Sequence, residues 1–442
     1  MDQTTVPLDR QAVEGILGRQ KFDVRRASIR EMNAVVNAIE SELGVRFIRM
    51  EFGVPGLPVS PIAIEAEAAA LRDGQVGHVY APFEGVPALK EEGARFFELF
   101  CDIRVPPGCV VPTVGAMQGC FGAITVASGL RRGGKVLCLE PGFPVNKLQL
   151  RLMGVPSDGI DLYHYRGDAL VQAVDERARS GDLCGLLWSS PNNPTWVVLK
   201  EQELEGLGRV CDEHGLIAIE DLAYFGMDTR QDYYTPGEPP FQPTVMRHTG
   251  RAVTIISSSK MFSYAGQRIA LTIVSPALMD ARVPELLPRF GSEHVGHALV
   301  HGVLYPNTAC VPESPQYGLL ALLRAANGGD RSLFDPARVY SARAAVMKRL
   351  FLDNGFELVY DNDLGQPLAD GFYFTVRHPG FHHGADLLLE LLHYGISAIT
   401  LETTGSCRLE GLRACVSMTG EDQFDELAQR LRRFQEDRAA VG

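Results

Sequence analysis

Five short apolar runs recur through the middle of the chain, at 110–114, 136–139, 183–188, 216–219 and 252–256, and each gives way to a polar or glycine-bearing segment. Runs of this length, rich in Val, Ile and Leu and bounded by turn residues, read as buried strands. Segments with helical character separate them, as at 201–214. That alternation predicts an α/β fold, a large domain with a mostly parallel central sheet flanked by helices and a ligand along one sheet edge. Residues 71–310 are expected to form it. At 442 residues the chain is too long for one simple core. Segments 1–70 and 311–442 are expected to supply an N-terminal arm and a smaller α+β domain.

The residues that close the runs carry the chemistry. The run at 252–256 ends in Ser257-Ser258-Ser259-Lys260, which delivers three hydroxyls and an amine to the mouth of a sheet. Arg268 follows eight residues later, a planar guanidinium suited to a phosphate. The run at 216–219 ends in Glu220-Asp221-Leu222-Ala223-Tyr224, and that at 183–188 in Ser189-Ser190-Pro191-Asn192-Asn193-Pro194-Thr195-Trp196. After 136–139 comes Glu140-Pro141-Gly142-Phe143-Pro144, and after 110–114 comes Gly115-Ala116-Met117-Gln118-Gly119 with an apolar helix behind it. A strand, a glycine turn and a helix N-terminus make an anion site, because unpaired backbone N–H groups and the macrodipole face the ligand. Taken singly, each segment reads equally well as a solvated lysine, a proline turn or a core aromatic. A further match, Gly129 to Lys135, has the G-x-x-x-x-G-K spacing of a nucleotide loop, but Val136 replaces the Ser/Thr and a strand follows where a helix is needed.

In this order and at these spacings the segments resemble the fold type I pyridoxal-phosphate enzymes, the aspartate aminotransferase superfamily of class I/II aminotransferases. The resemblance runs from Gly53 to the C-terminal helix. It implies pyridoxal 5'-phosphate as cofactor, carried covalently by Lys260. Asp221 then serves the ring nitrogen and Tyr224 the phenolic oxygen. Asn193 serves the same oxygen and borders the substrate. Phe143 stacks on the ring, while Gly115, Ala116, Met117, Ser257, Ser259 and Arg268 surround the phosphate. Tyr80, in Tyr80-Ala81-Pro82-Phe83-Glu84-Gly85, reaches the phosphate of a neighbouring subunit, which implies a homodimer with shared sites. Gly53, in Phe52-Gly53-Val54-Pro55-Gly56, borders the substrate carboxylate. Arg413 grips that carboxylate, with Arg408 as the alternative. Five positions depart from the family pattern: Gly56 stands for aspartate, Ser190 for asparagine, Trp196 for glycine, and, after Arg413, Ala414 for isoleucine or leucine and Cys415 for serine.

The implied function is an amino-group exchange between an amino acid and a 2-oxo acid. A lyase or decarboxylase on the same cofactor, or a non-catalytic binding homologue, would share the motifs. A net charge of −12 without a Lys/Arg run argues against a nucleic-acid surface. No apolar stretch approaches the length of a membrane helix. The first six residues lack a signal-peptide pattern, and nine scattered cysteines without a C-x-x-C pair fit a cytoplasmic protein. His294, His297 and His301 share helical spacing but have no H-E-x-x-H pattern, so no metal is expected.

Overall fold

The computed structural model describes residues 5–440, so the first four residues of the stretch read for targeting lie outside it. In chain order the strands are β1 (Ile48–Arg49), β2 (Val110–Thr113), β3 (Lys135–Glu140), β4 (Ser157–Asp161), β5 (Leu183–Ser189), β6 (Ile217–Leu222) and β7 (Ala252–Ser257). They continue with β8 (Ala270–Val274), β9 (Glu357–Leu358), β10 (Tyr373–Arg377), β11 (Ile396–Ser397), β12 (Ile399–Thr400) and β13 (Leu412–Cys415). Every apolar run of the sequence becomes one of the strands β2, β3, β5, β6 and β7.

Two compact units divide the chain. The larger comprises Leu57–Asn192 and Val198–Pro336, the smaller Met1–Gly56, Asn193–Val197 and Ala337–Gly442. The division falls at 56/57 and 336/337, outside the 71 and 310 expected from sequence. The reason is packing: helices Pro61–Arg72 and Glu313–Asn327 lie against each other, and both belong to the larger unit.

The larger unit holds a seven-stranded sheet in the order β2-β8-β7-β6-β5-β3-β4. Only β8 runs against its neighbours, pairing antiparallel with both β2 and β7. The other six strands therefore point one way, and the C-terminal ends of β2, β3, β5, β6 and β7 open on a single edge. β4 has a Ser-Asp-Gly-Ile-Asp sequence and lies at the sheet margin, half exposed, so it has no apolar run to announce it. The helix Gly115–Gly129 is apolar almost all round, which suits burial rather than a surface position. Its Ile124 packs into a core of Val111, Ile219, Ile255 and Val274, closed on another side by Leu299 and Val303.

The smaller unit pairs β1 with β11 and carries a second sheet, β12-β13-β10-β9, antiparallel throughout. Its N-terminal helices, Arg10–Gly18 and Ile29–Leu43, bury Val13, Ile16, Met32, Val35, Val36 and Ile39, the periodic positions that mark them as helices. Ser28 and Glu31 form a capping box at the start of the second. Arg10 pairs with Glu390 and Arg25 with Asp386, which ties this segment to helix Gly384–His393.

Candidate active site

The edge of the larger sheet is built from strand ends. β7 stops at Ser257, whose hydroxyl caps a one-turn helix, Ser258–Met261, by accepting from the Ser259 N–H at 3.2 Å. Lys260 lies on that turn, partly exposed, with Ser257 and Ser259 buried beside it. The loop then reverses through Ser263 (φ +52°) and Arg268 (φ +53°) into β8. Two bonds hold it down. The Tyr264 N–H donates to the Ser258 carbonyl at 3.2 Å, and the Ser258 hydroxyl donates to the Ile269 carbonyl at 2.6 Å. Tyr264 also donates its hydroxyl to Glu67, and burial together with that carboxylate raises its pKa.

Arg268 lies against Gly115. A Cβ on Gly115 would meet its Nη2 at 2.5 Å, and Gly115 itself has φ +69°. Only glycine both accepts that backbone conformation and leaves the guanidinium room. The result is a cationic side chain seated at the N-terminus of a 15-residue helix, an arrangement that attracts an anion. Gln118 steadies the turn. Its Oε1 accepts from the Val114 N–H at 2.7 Å, and its Nε2 donates to Asn307 and Thr308, each at 3.0 Å. Of the backbone donors expected from sequence, Met117 is exposed and Ala116 partly so.

Asp221 lies inside β6, in register with Ser189 of β5 and Ile255 of β7. Its carboxylate is buried and accepts from the Ala223 N–H at 3.0 Å. Burial pushes its pKa up to about 7 and that hydrogen bond pulls it back only in part. A buried carboxylate with so little compensation favours a cationic or proton-bearing partner. Tyr224, just past the strand, is buried. Phe143, half-buried, is the N-cap residue of helix Pro144–Leu152, beyond the end of β3. Tyr80 is 89% exposed, and Val79, Phe83 and Tyr305 are exposed apolar side chains of the same unit. Phe83 packs edge-on against Tyr305 and His301.

In the smaller unit, Asn193 and Arg413 meet directly. The Arg413 Nη1 donates to Asn193 Oδ1 at 3.3 Å and Nη2 donates to the Glu51 carbonyl. The guanidinium is fully buried, lies 4.7 Å above the Tyr373 ring, and its Nε has no hydrogen-bond partner among the described residues. It therefore retains donors beyond the two in use, out of the five a guanidinium carries. Tyr373 reaches this position because β10 and β13 pair with Thr375 opposite Arg413, which makes Tyr373 its diagonal neighbour on the same face. Gly53 lies against Tyr373, where a Cβ would overlap the phenol. Arg408 differs: its Nε and Nη2 donate to Glu410 at 2.8 and 2.6 Å.

Tyr373, Gln118 and the Glu67–Tyr264 pair are contributors that sequence reading did not single out. Tyr264 and Glu67 are 197 residues apart and Gln118 and Thr308 are 190 apart, and no motif spacing encodes such meetings. His297 and His301 stack at 4.3 Å, with His301 Nε2 3.6 Å from Glu84. Neither belongs to a metal-spaced group. Among the described residues that group is Asp175, Glu213 and His214, and Asp175 is already paired with Arg179. The Gly129–Lys135 segment runs from a helix into β3, with Lys135 paired to Asp182 at 2.8 Å, so it is a helix-to-strand turn.

Comparison with known proteins gives the family and the fold. The family described as aminotransferase class I and II matches residues 48–303. A probable aspartate aminotransferase of Methanocaldococcus jannaschii is 24% identical over 313 residues, 71% of this chain and 74% of that protein. An aspartate/prephenate aminotransferase of Thermus thermophilus is 28% identical over 53% of this chain and 58% of its own length. The structure of aspartate aminotransferase from Thermus thermophilus with maleate superposes with a TM-score of 0.73, covering 92% of this chain and 96% of that one at 19% identity. The chain belongs to the class I and II aminotransferases, a family of pyridoxal-phosphate-dependent transaminases.

Proposed function

We propose that this chain binds pyridoxal 5'-phosphate through Lys260 and transfers an amino group between an amino acid and a 2-oxo acid. The observation that carries the reading is the seat formed by Arg268 on Gly115 at a helix N-terminus, on the same sheet edge as Lys260 and the buried Asp221. That seat suits a phosphate, and Asp221 suits a protonated ring nitrogen, so the residues present fit the cofactor. When bound, the cofactor supplies an electron sink for the pair released at the substrate α-carbon.

The chain's residues do the rest. Arg268, the N–H groups of Ala116 and Met117, and the hydroxyls of Ser257 and Ser259 hold the phosphate. Asp221 keeps a proton on the ring nitrogen, and Phe143 offers a flat face to the ring. Asn193 and Tyr224 hydrogen-bond the phenolic oxygen. Lys260 Nζ, once freed from its covalent role, would serve as the base that carries the substrate α-proton. Arg413 takes the substrate α-carboxylate through its spare donors, with Gly53 beside it. Arg408, committed to Glu410, is the weaker candidate. Tyr80 serves a second copy of the chain, which makes the homodimer the working unit. Its 89% exposure supports that role. All nine cysteines are free thiols, which supports a reducing, cytoplasmic setting. No described helix is long and apolar enough to cross a membrane.

The direct test mixes the purified protein with each amino acid in turn and follows conversion of the lysine-bound cofactor to its aminated form by absorbance. Amino-group exchange yields a 2-oxo acid in equal amount. Release of ammonia or carbon dioxide in its place would assign the chain to elimination or decarboxylation.

A further inference from the structure

Trp196 stands where the resembling motif has glycine, and the structure shows what that replacement does. Its backbone has φ +64°, in the left-handed region that a bulky L-residue adopts only at a cost. Its side chain is nonetheless 1% exposed. The indole fills a notch at Gly371, where a Cβ would overlap the ring. It meets the Tyr373 ring edge-on, with centroids 6.2 Å apart at 65°. Tyr373 in turn carries the Arg413 guanidinium 4.7 Å above its face. The segment 193–196 thus touches Arg413 twice, directly through Asn193 and indirectly through Trp196 and Tyr373.

We propose that Trp196 is a positioning residue, wedged between Gly371 and Tyr373, that sets the orientation of the Arg413 guanidinium toward the substrate carboxylate. The strained backbone is kept because the ring it carries fixes the shelf on which the guanidinium rests. This inference rests on the reading of Arg413 as the carboxylate clamp. It separates two roles in one segment: Asn193 contacts the guanidinium, while Trp196 acts only through Tyr373. Glycine at 196 would relax the backbone and release the shelf. Alanine at 371 would drive the indole toward Tyr373 and disturb the same shelf from the other side.

The test compares the cofactor-loaded Trp196→Gly, Trp196→Phe, Gly371→Ala and Arg413→Ala variants with the parent protein. Three affinities are measured: an accepted amino acid and ethylamine by the absorbance of the cofactor, and propionate by calorimetry. Trp196→Gly and Gly371→Ala should each weaken the amino acid and propionate about tenfold or more, as misplacement of a binding group does. Ethylamine, which has no carboxylate, should bind as to the parent, and Trp196→Phe should recover part of the loss. Equal weakening of ethylamine would mean a general structural role and would overturn the inference. So would unchanged carboxylate affinity in the Trp196 and Gly371 variants beside a large loss in Arg413→Ala. If Arg413→Ala itself leaves carboxylate affinity intact, the clamp reading fails and this inference falls with it. Should Trp196→Gly not fold, Gly371→Ala and Trp196→Phe decide the matter by the same criteria.

Discussion

At the scale of single residues, burial decides which charges do chemistry. Asp221 and its neighbour Glu220 are both buried, and burial raises both to a pKa of about 7. Glu220 is served by Thr244, Thr254 and the Val245 N–H, whereas Asp221 has the Ala223 N–H. The folded state therefore binds a proton at these sites more tightly than the unfolded chain does. Their contribution to stability is fully present below about pH 4 and is lost as pH rises toward 7. Cofactor-free Asp221→Asn should remove its share of that slope. Its melting temperature should match the parent near pH 4 and exceed it by several degrees at pH 7.5, as scanning calorimetry would show. The same variant, loaded with cofactor, should exchange the substrate α-proton far more slowly, because an unprotonated ring is a poor electron sink. Normal exchange would remove Asp221 from that role. For Arg413, losing one partner of a buried charged pair costs about 2–5 kcal/mol. Arg413→Ala should therefore lower kcat/KM by roughly 30-fold to several-thousand-fold. Arg408→Ala should leave amino-acid turnover largely intact, and the opposite ranking would move the clamp to Arg408.

At the scale of elements, the helix Gly115–Gly129 and the loop from Lys260 to Arg268 act as one device, since Arg268 lies on the first residue of that helix. Gly115→Ala would place a methyl against the guanidinium on a backbone that disfavours it. Its cofactor affinity should fall, with excess inorganic phosphate competing less well in equilibrium dialysis. An unchanged affinity would mean that Arg268 does not bind phosphate. The loop is also pinned from behind, through Tyr264 to Glu67 on helix Pro61–Arg72, with Ser314 3.2 Å from the same carboxylate. Motif spacing announces Lys260 and Arg268 but contains nothing of this brace. A Cβ on Gly56 would overlap the Ser417 carbonyl, and the Gly56 N–H donates to the Tyr340 hydroxyl at 3.0 Å. The departure from aspartate is thus enforced by packing within the smaller unit.

At the scale of the whole molecule, the proposed dimer makes a definite prediction. An inactive Lys260→Ala chain mixed with a chain inactivated at Tyr80 should regain activity as heterodimers, because one site then holds both residues. Full activity in a verified monomer would rule this out. Lys260→Ala alone should lose the absorbance of the lysine-bound cofactor, and borohydride reduction of the parent should label Lys260 and no other lysine.

What the sequence determined by itself is the set of strand ends and the residue at each. Short apolar runs bounded by turn residues leave few alternatives to buried strands, and the parallel arrangement then places Gly115, Phe143, Asp221 and Lys260 on one edge. Those features are local, so spacing along the chain records them. The tertiary structure decided the remainder. The reversed β8, the polar marginal β4, the packing of helix Pro61–Arg72 on helix Glu313–Asn327, and the assignment of Asn193–Val197 to the smaller unit all depend on contacts distant in sequence. Trp196 shows the difference most plainly. In sequence it is a missing glycine, while in the fold it is a strained, buried ring lodged against Gly371 and Tyr373. No local pattern encodes that lodging, because the residues that reward the strain lie some 175 positions away, at and just before the start of β10, and folding alone brings them alongside.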